Sequence, residues 1–231
     1  MFRKTCKTVR GSIYGVLCQS PLGKDQINFG NGTAFMIAPN ICATASHVLH
    51  VDGDRTKPLH QKVEVIKSTD VGSPMKQAKI IAEDLERDLA LIEISDSTSS
   101  TPLNLYSTII DSGTSCGALG FPMAEISVIN GQIAFSLVER FQGSYVSAFQ
   151  KFMLRKDVLL DFYEIDAVVY GGSSGCPAFT VEGKIFGMVI GTASTEDDTK
   201  SKVRIAITRL VPSIDIIAYA KAKGIKGLCV Q

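Results

Sequence analysis

The chain has 231 residues, 45% hydrophobic and 20% charged, with 20 glycines and no tryptophan, which suits one large domain or two small joined ones and excludes a disordered or solvating chain. Lys plus Arg number 24 against 23 Asp plus Glu, so a net charge of +1 gives no broad field for nucleic acid or an anionic membrane. Two small basic clusters, Arg3, Lys4 and Lys7 and then Lys200, Lys202 and Arg204, lack interleaved aromatics and read as solvated surface.

The opening MFRKTCKTVRGSIYGVLCQS has the basic start of a leader peptide. Its apolar stretch Ile13 to Cys18 is interrupted by Gly15 and too short, and no small-residue cleavage site follows. No run approaches the roughly 18 apolar residues that cross a bilayer. The expectation is a soluble, cytoplasmic protein without a membrane partner.

Short β-type runs then recur: SIYGVLC, GTAFMIA, ICATAS, KVEVIK, KIIAE, LALIEI, CGALGF, ISVINGQIAFSLVE, DAVVY, CPAFT, KIFGMVIG and KVRIAIT. Gly, Pro, Asn and Asp punctuate them, so the density of strands predicts a barrel or sandwich rather than a parallel α/β sheet. Asn130-Gly131 marks a hairpin because both positions tolerate positive φ, and Glu182-Gly183 marks a second. The polar stretch SDSTSSTP, Ser95 to Pro102, cannot build a core and is taken as the junction between two halves, 1–100 and 101–231, each with about six strands. The segment from Glu139 to Glu164 mixes Phe141, Tyr145, Phe149, Phe152 and Phe162 with charges; it reads either as a long hairpin or as a mobile loop. Between Pro212 and Lys223 the apolar residues Ile214, Ile216, Ile217, Tyr219 and Ala220 recur at helical spacing, and Gly224 closes a predicted terminal helix.

The six cysteines, Cys6, Cys18, Cys42, Cys116, Cys176 and Cys229, stand singly, with no C-x-x-C pair and no His at ligand spacing. That argues against a zinc site; a chain with a full core also needs no disulfide staples, so free and mostly buried thiols are expected. No pattern in the chain points to a metal or another cofactor.

The glycine-rich turn Gly171-Gly172-Ser173-Ser174-Gly175-Cys176-Pro177 can display a hydroxyl to a bulky carbonyl, with the N–H groups of Gly172 and Ser174 available for an oxyanion. A serine nucleophile needs a base, and the chain offers His47, His50 and His60. His47 follows the apolar run ICATAS and takes a fixed strand-end position. Asp88, at the start of LALIEI, suits the third role of holding the imidazole's tautomer. Each feature alone is commonplace; the ordered set His47, Asp88 and Ser174 is not.

Four stretches carry a wider likeness: Gly32-Thr33-Ala34-Phe35 with Thr44-Ala45-Ser46-His47-Val48, Asp88-Leu89-Ala90-Leu91-Ile92, Gly120-Phe121-Pro122, and Gly172-Ser173-Ser174-Gly175-Cys176-Pro177, joined more weakly by Ile205-Ala206-Ile207-Thr208. In these the chain resembles the trypsin-fold serine proteases, particularly their Deg/HtrA-like branch. The resemblance implies an all-β fold of two six-stranded antiparallel barrels with a C-terminal helix. It implies a cleft with His47 and Asp88 on one barrel and Ser174 on the other, and endopeptidase action on protein or peptide substrates. Cys176 stands where a glycine is usual, and a cysteine nucleophile there is discounted because it lies two positions beyond the elbow. Ile190 stands where a Ser or Thr often contacts the triad carboxylate. Ser173 replaces the Asp that receives a new N-terminal amine in activatable relatives, and Cys42 lacks the partner after His47 that disulfide-bonded relatives carry. With so little chain after the predicted last helix, the PDZ module that many relatives carry is not expected.

The resemblance also places Val168, Val169, Tyr170, Ile190, Gly191 and Thr192 around the primary substrate pocket. No acid stands at its base, so a small or medium apolar P1 residue is expected, since a basic one would bury an unpaired charge. Two other readings stay open: a catalytically silent relative kept for peptide or partner binding, and acyl transfer on a small ester. Segment 139–164 is either a regulatory loop or a structural hairpin. The oligomeric state is not written in the sequence.

Overall fold

The computed structural model describes residues 1–23, 26–67, 74–95, 100–129, 132–155, 158–196 and 202–231. Helix α1 (Arg3–Arg10) precedes six strands, β1 (Ile13–Pro21), β2 (Ile27–Ala38), β3 (Ile41–Ala45), β4 (Lys62–Ile66), β5 (Lys76–Asp84) and β6 (Leu89–Ile94). They close into an antiparallel barrel of order β1-β2-β3-β6-β5-β4. Closure leaves no free edge, and the strands fill the interior in the way their apolar runs predict: Leu89, Ala90, Leu91 and Ile92 of β6 are fully buried with Phe35 and Ile37 of β2.

The second barrel has the order β10-β11-β14-β13-β12-β7, from β7 (Ser115–Gly120), β10 (Arg140–Arg155), β11 (Val158–Ile165), β12 (Pro177–Thr180), β13 (Ile185–Glu196) and β14 (Lys202–Pro212). Strands β8 (Glu125–Ile129) and β9 (Gln132–Ser136) form a separate antiparallel pair in which Ile129 faces Gln132. The Asn130-Gly131 turn between them, part of the Ser95 to Pro102 junction, Lys200 of the second basic cluster and residues 156–157 of segment 139–164 lie outside the described residues. Leu119, Phe121, Phe179 and Val211 of the second half share one buried cluster with Phe35 and Leu91, so apolar packing runs continuously between the barrels.

Three segments differ from, or sharpen, the sequence reading. Asp166–Tyr170, expected as a strand, is irregular. Its backbone finds side chains instead of a ladder: Thr208 donates to the Ala167 carbonyl at 2.7 Å, Gln142 donates to the Val168 carbonyl, and the Val169 N–H donates to Thr192 Oγ1 at 3.2 Å. Residues 3–10, read only as a basic opening, form helix α1, which docks through Thr5 on the Val181 carbonyl and through Arg10 on Glu139. Such a short helix has little intrinsic stability, and its partners lie far along the chain. Within segment 139–164 the described residues form the long β10–β11 hairpin: β10 pairs with β7 only through Arg140–Tyr145 and with β11 from Val146 to Arg155.

The terminal helix α2 (Ser213–Ala222) buries Ile216, Ile217 and Ala220 and ends before Gly224, whose φ is +75°. Among the described residues no helix is long and apolar enough to cross a membrane.

Candidate active site

Pairing of β3 with β6 sets Ala45 opposite Leu89, and this brings the residues just after one strand against the residue just before the other. The chain leaves β3 in a short 3-10 helix, Ser46–Leu49, that carries His47. Asp88 ends the turn before β6 in the left-handed region, φ +57°, and is 8% exposed. One carboxylate oxygen, Oδ1, accepts the His47 backbone N–H at 2.8 Å, and Oδ2 lies 2.6 Å from His47 Nδ1. The Ser46 N–H donates to the Asp88 carbonyl at 3.2 Å, so backbone and side chain of Asp88 hold the same helix.

Behind this pair sits a second, buried set of polar contacts that sequence reading did not find. The Ser46 hydroxyl donates to Glu83 Oε1 at 2.7 Å, and His50 Nε2 lies 3.0 Å from the same oxygen, while His50 Nδ1 donates to the Lys57 carbonyl at 2.6 Å. Glu83 on β5 therefore grips both flanks of the segment carrying His47. Arg55 Nε stands 3.9 Å from Asp88 Oδ1, and its guanidinium also donates to the Leu85 carbonyl. Ile190, at the position where a hydroxyl would be usual, lines a cavity of about 260 Å³ beside Asp88 together with Arg55, Glu86, Met153, Phe162 and Arg209. The carboxylate is thus supported by a backbone N–H and a guanidinium.

Across the cleft, the turn at 171–176 presents Ser174 Oγ 2.9 Å from His47 Nε2. Gly172 and Gly175 have φ of +95° and +87°, conformations that glycine alone adopts freely. Every carbonyl from Gly171 to Ser174 has a donor: the Met123 N–H on Gly171 at 2.7 Å, Thr33 Oγ1 on Gly172 at 2.8 Å, the Cys176 N–H on Ser173 at 3.0 Å and the Thr33 N–H on Ser174 at 2.8 Å. In a planar trans peptide the N–H points opposite to the carbonyl it shares a plane with, and the chain contains no cis bond. The Gly172 and Ser174 N–H groups consequently face away from these anchors, and neither donates to a backbone carbonyl among the described residues.

Cys176 points away from the cleft. It is 2% exposed, packs into the core of the second barrel, and burial pushes its thiol up to about 12. An ideal Cβ on Gly120 would approach Cys176 Cβ to 2.7 Å, so the missing side chain at Gly120 is what accommodates the extra one at Cys176. All six cysteines are free; Cys18, Cys42, Cys116 and Cys176 are buried.

Of the expected pocket residues, Val169 lies against Thr192, whose Oγ1 accepts the Val169 N–H and donates to the Val169 carbonyl at 3.3 Å, while the Val168 carbonyl accepts from Gln142 and the Tyr170 carbonyl from the Ser173 N–H. Val169 is buried and Tyr170 is 48% exposed. Gly191 has φ +156° and open space where a Cβ would stand.

A family model described as a trypsin-like peptidase domain matches residues 32–188. The active form of the Rv3671c protease from M. tuberculosis superposes with a TM-score of 0.68 at 19% identity, covering 98% of this chain and 89% of that one. Its inactive form gives 0.66 at 18% identity, covering 95% and 92%. The HtrA-type protease AlgW with a tripeptide gives 0.71 at 17% identity, covering 98% of this chain and 64% of that one. At such identities the likeness concerns the fold. No curated protein matches the chain.

Proposed function

The chain belongs to the trypsin-like peptidase family and is a serine endopeptidase acting on protein or peptide substrates, and from that premise we propose that His47, Asp88 and Ser174 are its catalytic triad. The observation that carries this reading is the unbroken line of contacts from Asp88 Oδ2 through the His47 ring to Ser174 Oγ, 2.6 and 2.9 Å long. In the proposed reaction Ser174 Oγ attacks the scissile carbonyl carbon while His47 Nε2 takes the hydroxyl proton. Asp88 fixes the tautomer that leaves Nε2 free to accept, and stabilises the imidazolium that results. The Gly172 and Ser174 N–H groups receive the oxyanion. Collapse of the tetrahedral intermediate breaks the C–N bond as His47 returns the proton to the leaving amine. Water then attacks the acyl-enzyme by the same route in reverse, releasing the acid and restoring Ser174.

Val168, Val169, Tyr170, Ile190, Gly191 and Thr192 are proposed to line the primary pocket. None of them is acidic, which supports preference for a small or medium apolar P1 residue, because a lysine or arginine there would lose water without gaining a counter-charge. A panel of tetrapeptide anilides should show kcat/KM for Ala, Val or Leu at P1 exceeding that for Lys or Arg by about tenfold or more; the opposite order would remove the pocket assignment. Comparison of matched peptide and ester substrates separates peptidase from esterase preference.

Labelling by a fluorophosphonate tests the triad without a known substrate. The wild type should label, and Ser174→Ala and His47→Ala should not. Absence of label on the wild type would favour the silent, binding-only reading of the fold.

A further inference from the structure

Thr33 lies on β2 of the first barrel and is fully buried, yet most of its hydrogen bonds cross to the second barrel. Its N–H donates to the Ser174 carbonyl at 2.8 Å, and its hydroxyl donates to the Gly172 carbonyl at 2.8 Å while accepting the Phe121 N–H at 3.1 Å. The direction of the hydroxyl proton is fixed by chemistry: the Phe121 N–H can only donate, so Oγ1 accepts there and must give its own proton to the Gly172 carbonyl. Within the first barrel, Thr44 Oγ1 donates to the Thr33 carbonyl at 2.8 Å. The residue is therefore fully satisfied, and its hydroxyl has a single orientation.

We propose that Thr33 is a positioning residue for the reaction: its hydroxyl fixes the Gly172 carbonyl and, together with the Met123 N–H on the Gly171 carbonyl, sets the backbone of the residue whose N–H serves the oxyanion pocket, and so couples the docking of the two barrels to the assembly of that pocket. The inference rests on the triad reading above. Gly172 sits between two peptide planes. The plane on its C-terminal side is held by the Thr33 hydroxyl through the Gly172 carbonyl, and the plane on its N-terminal side, which contains the Gly172 N–H, is held by the Met123 N–H through the Gly171 carbonyl. Two fixed planes determine φ and ψ of the residue between them, here at a φ of +95° that glycine adopts without an intrinsic preference.

Phe121, which donates to the hydroxyl, and Met123, which grips Gly171, belong to one short segment. One hydroxyl thus links the barrel that carries His47, the Phe121–Met123 segment and the nucleophile turn. The surrounding space is built around it: an ideal Cβ on Gly120 would come within 2.8 Å of Thr33 Oγ1, and one on Gly175 within 2.0 Å of the Thr33 carbonyl. The N–H contact to Ser174 is available to any residue but proline. The hydroxyl contact is available only to Thr or Ser, and this makes the proposal testable.

The experiment measures the kinetics of fluorophosphonate labelling, resolving the reversible constant KI from the covalent rate kinact. In that step Ser174 Oγ bonds to phosphorus as the P–F bond breaks, fluoride leaves, His47 takes the serine proton and the phosphonyl oxygen occupies the oxyanion position. Thr33→Val removes the hydroxyl at nearly constant shape, Thr33→Ser keeps the hydroxyl and loses the methyl, and Thr33→Cys substitutes a weak donor should the valine variant fail to fold. The expected result is a fall in kinact of about 10- to 100-fold in Thr33→Val and in folded Thr33→Cys, with KI changed by less than about twofold, and kinact in Thr33→Ser within about threefold of wild type. Wild-type kinact in the valine or cysteine variant, or an equal loss in the serine variant, would overturn the inference. A wild type that takes no label would instead overturn the reading of the triad, a result distinguishable from either.

Discussion

Asp88 is fixed from two directions, because its left-handed backbone places Oδ1 on the His47 N–H and Oδ2 on the His47 ring. Asp88→Asn keeps an acceptor for the N–H but stabilises the wrong imidazole tautomer, so kcat should fall about 10³- to 10⁴-fold with the fold intact, as read by peptide hydrolysis beside circular dichroism. Glu83 is different in kind: it is hydrogen-bonded to neither His47 nor Ser174, and its removal leaves the buried Ser46 hydroxyl without its acceptor and His50 Nε2 without its carboxylate neighbour. Glu83→Ala should therefore destabilise the protein by about 2–4 kcal/mol in urea unfolding, whereas Glu83→Gln, which retains an acceptor, should lose distinctly less. At this scale the sequence was informative where chemistry is local: His47, Asp88 and Ser174 each sit in a recognisable run. Glu83 and Arg55 act through contacts with residues distant in sequence, and nothing beside them in the chain marks that use; Thr33 stands in the recognisable run Gly32-Thr33-Ala34-Phe35, but that run does not disclose its contacts with Gly172 and Phe121.

The elements were legible in proportion to how much of their stability is local. Continuous apolar runs specify strands β2, β3 and β6, whose consecutive residues are buried on both faces, and helical spacing specifies α2, which buries one face. DAVVY carries the same apolar signal as a strand, but hydroxyl and amide side chains take its backbone groups, so composition alone misassigned it. Helix α1 was invisible because what holds it, Val181 and Glu139, lies more than a hundred residues away. The glycine-rich turn at 171–176 supplies the sharpest contrast, between two glycines four positions apart. At Gly175, φ is +87° and an added Cβ would meet the Thr33 carbonyl at 2.0 Å; at Gly171 nothing stands within 4 Å. Gly175→Ala should cost about 3 kcal/mol or more and abolish fluorophosphonate labelling, while Gly171→Ala should unfold within about 1 kcal/mol of wild type. Equal urea midpoints for the two variants would contradict this account of the turn.

Across the whole molecule, the buried thiols tie stability to alkaline pH. Desolvation pushes Cys18, Cys116 and Cys176 from an ordinary value of 9.0 up to about 12, and raises Cys42 further in the same direction. A group whose folded value is raised binds its proton more tightly in the native state, so its contribution is fully present below pH 9 and is lost as pH rises towards 12, because the unfolded chain releases the proton first. At pH 10 each such thiol should already weaken folding by about 1 kcal/mol, on the basis of 1.36 kcal/mol per pH unit. The buried phenol of Tyr163, raised mainly by desolvation, acts with the same sign at somewhat higher pH. Urea midpoints measured in reductant should accordingly fall steeply between pH 8 and pH 10. Replacing Cys18 and Cys116 by alanine should flatten that slope while lowering the pH 8 midpoint through the lost packing. The two thiols lie in different barrels, so the slope also reports on how the fold unfolds: a single transition that carries the loss from both sites would mean that the barrels unfold together, as the apolar cluster shared between Phe35, Leu91, Leu119 and Phe179 requires.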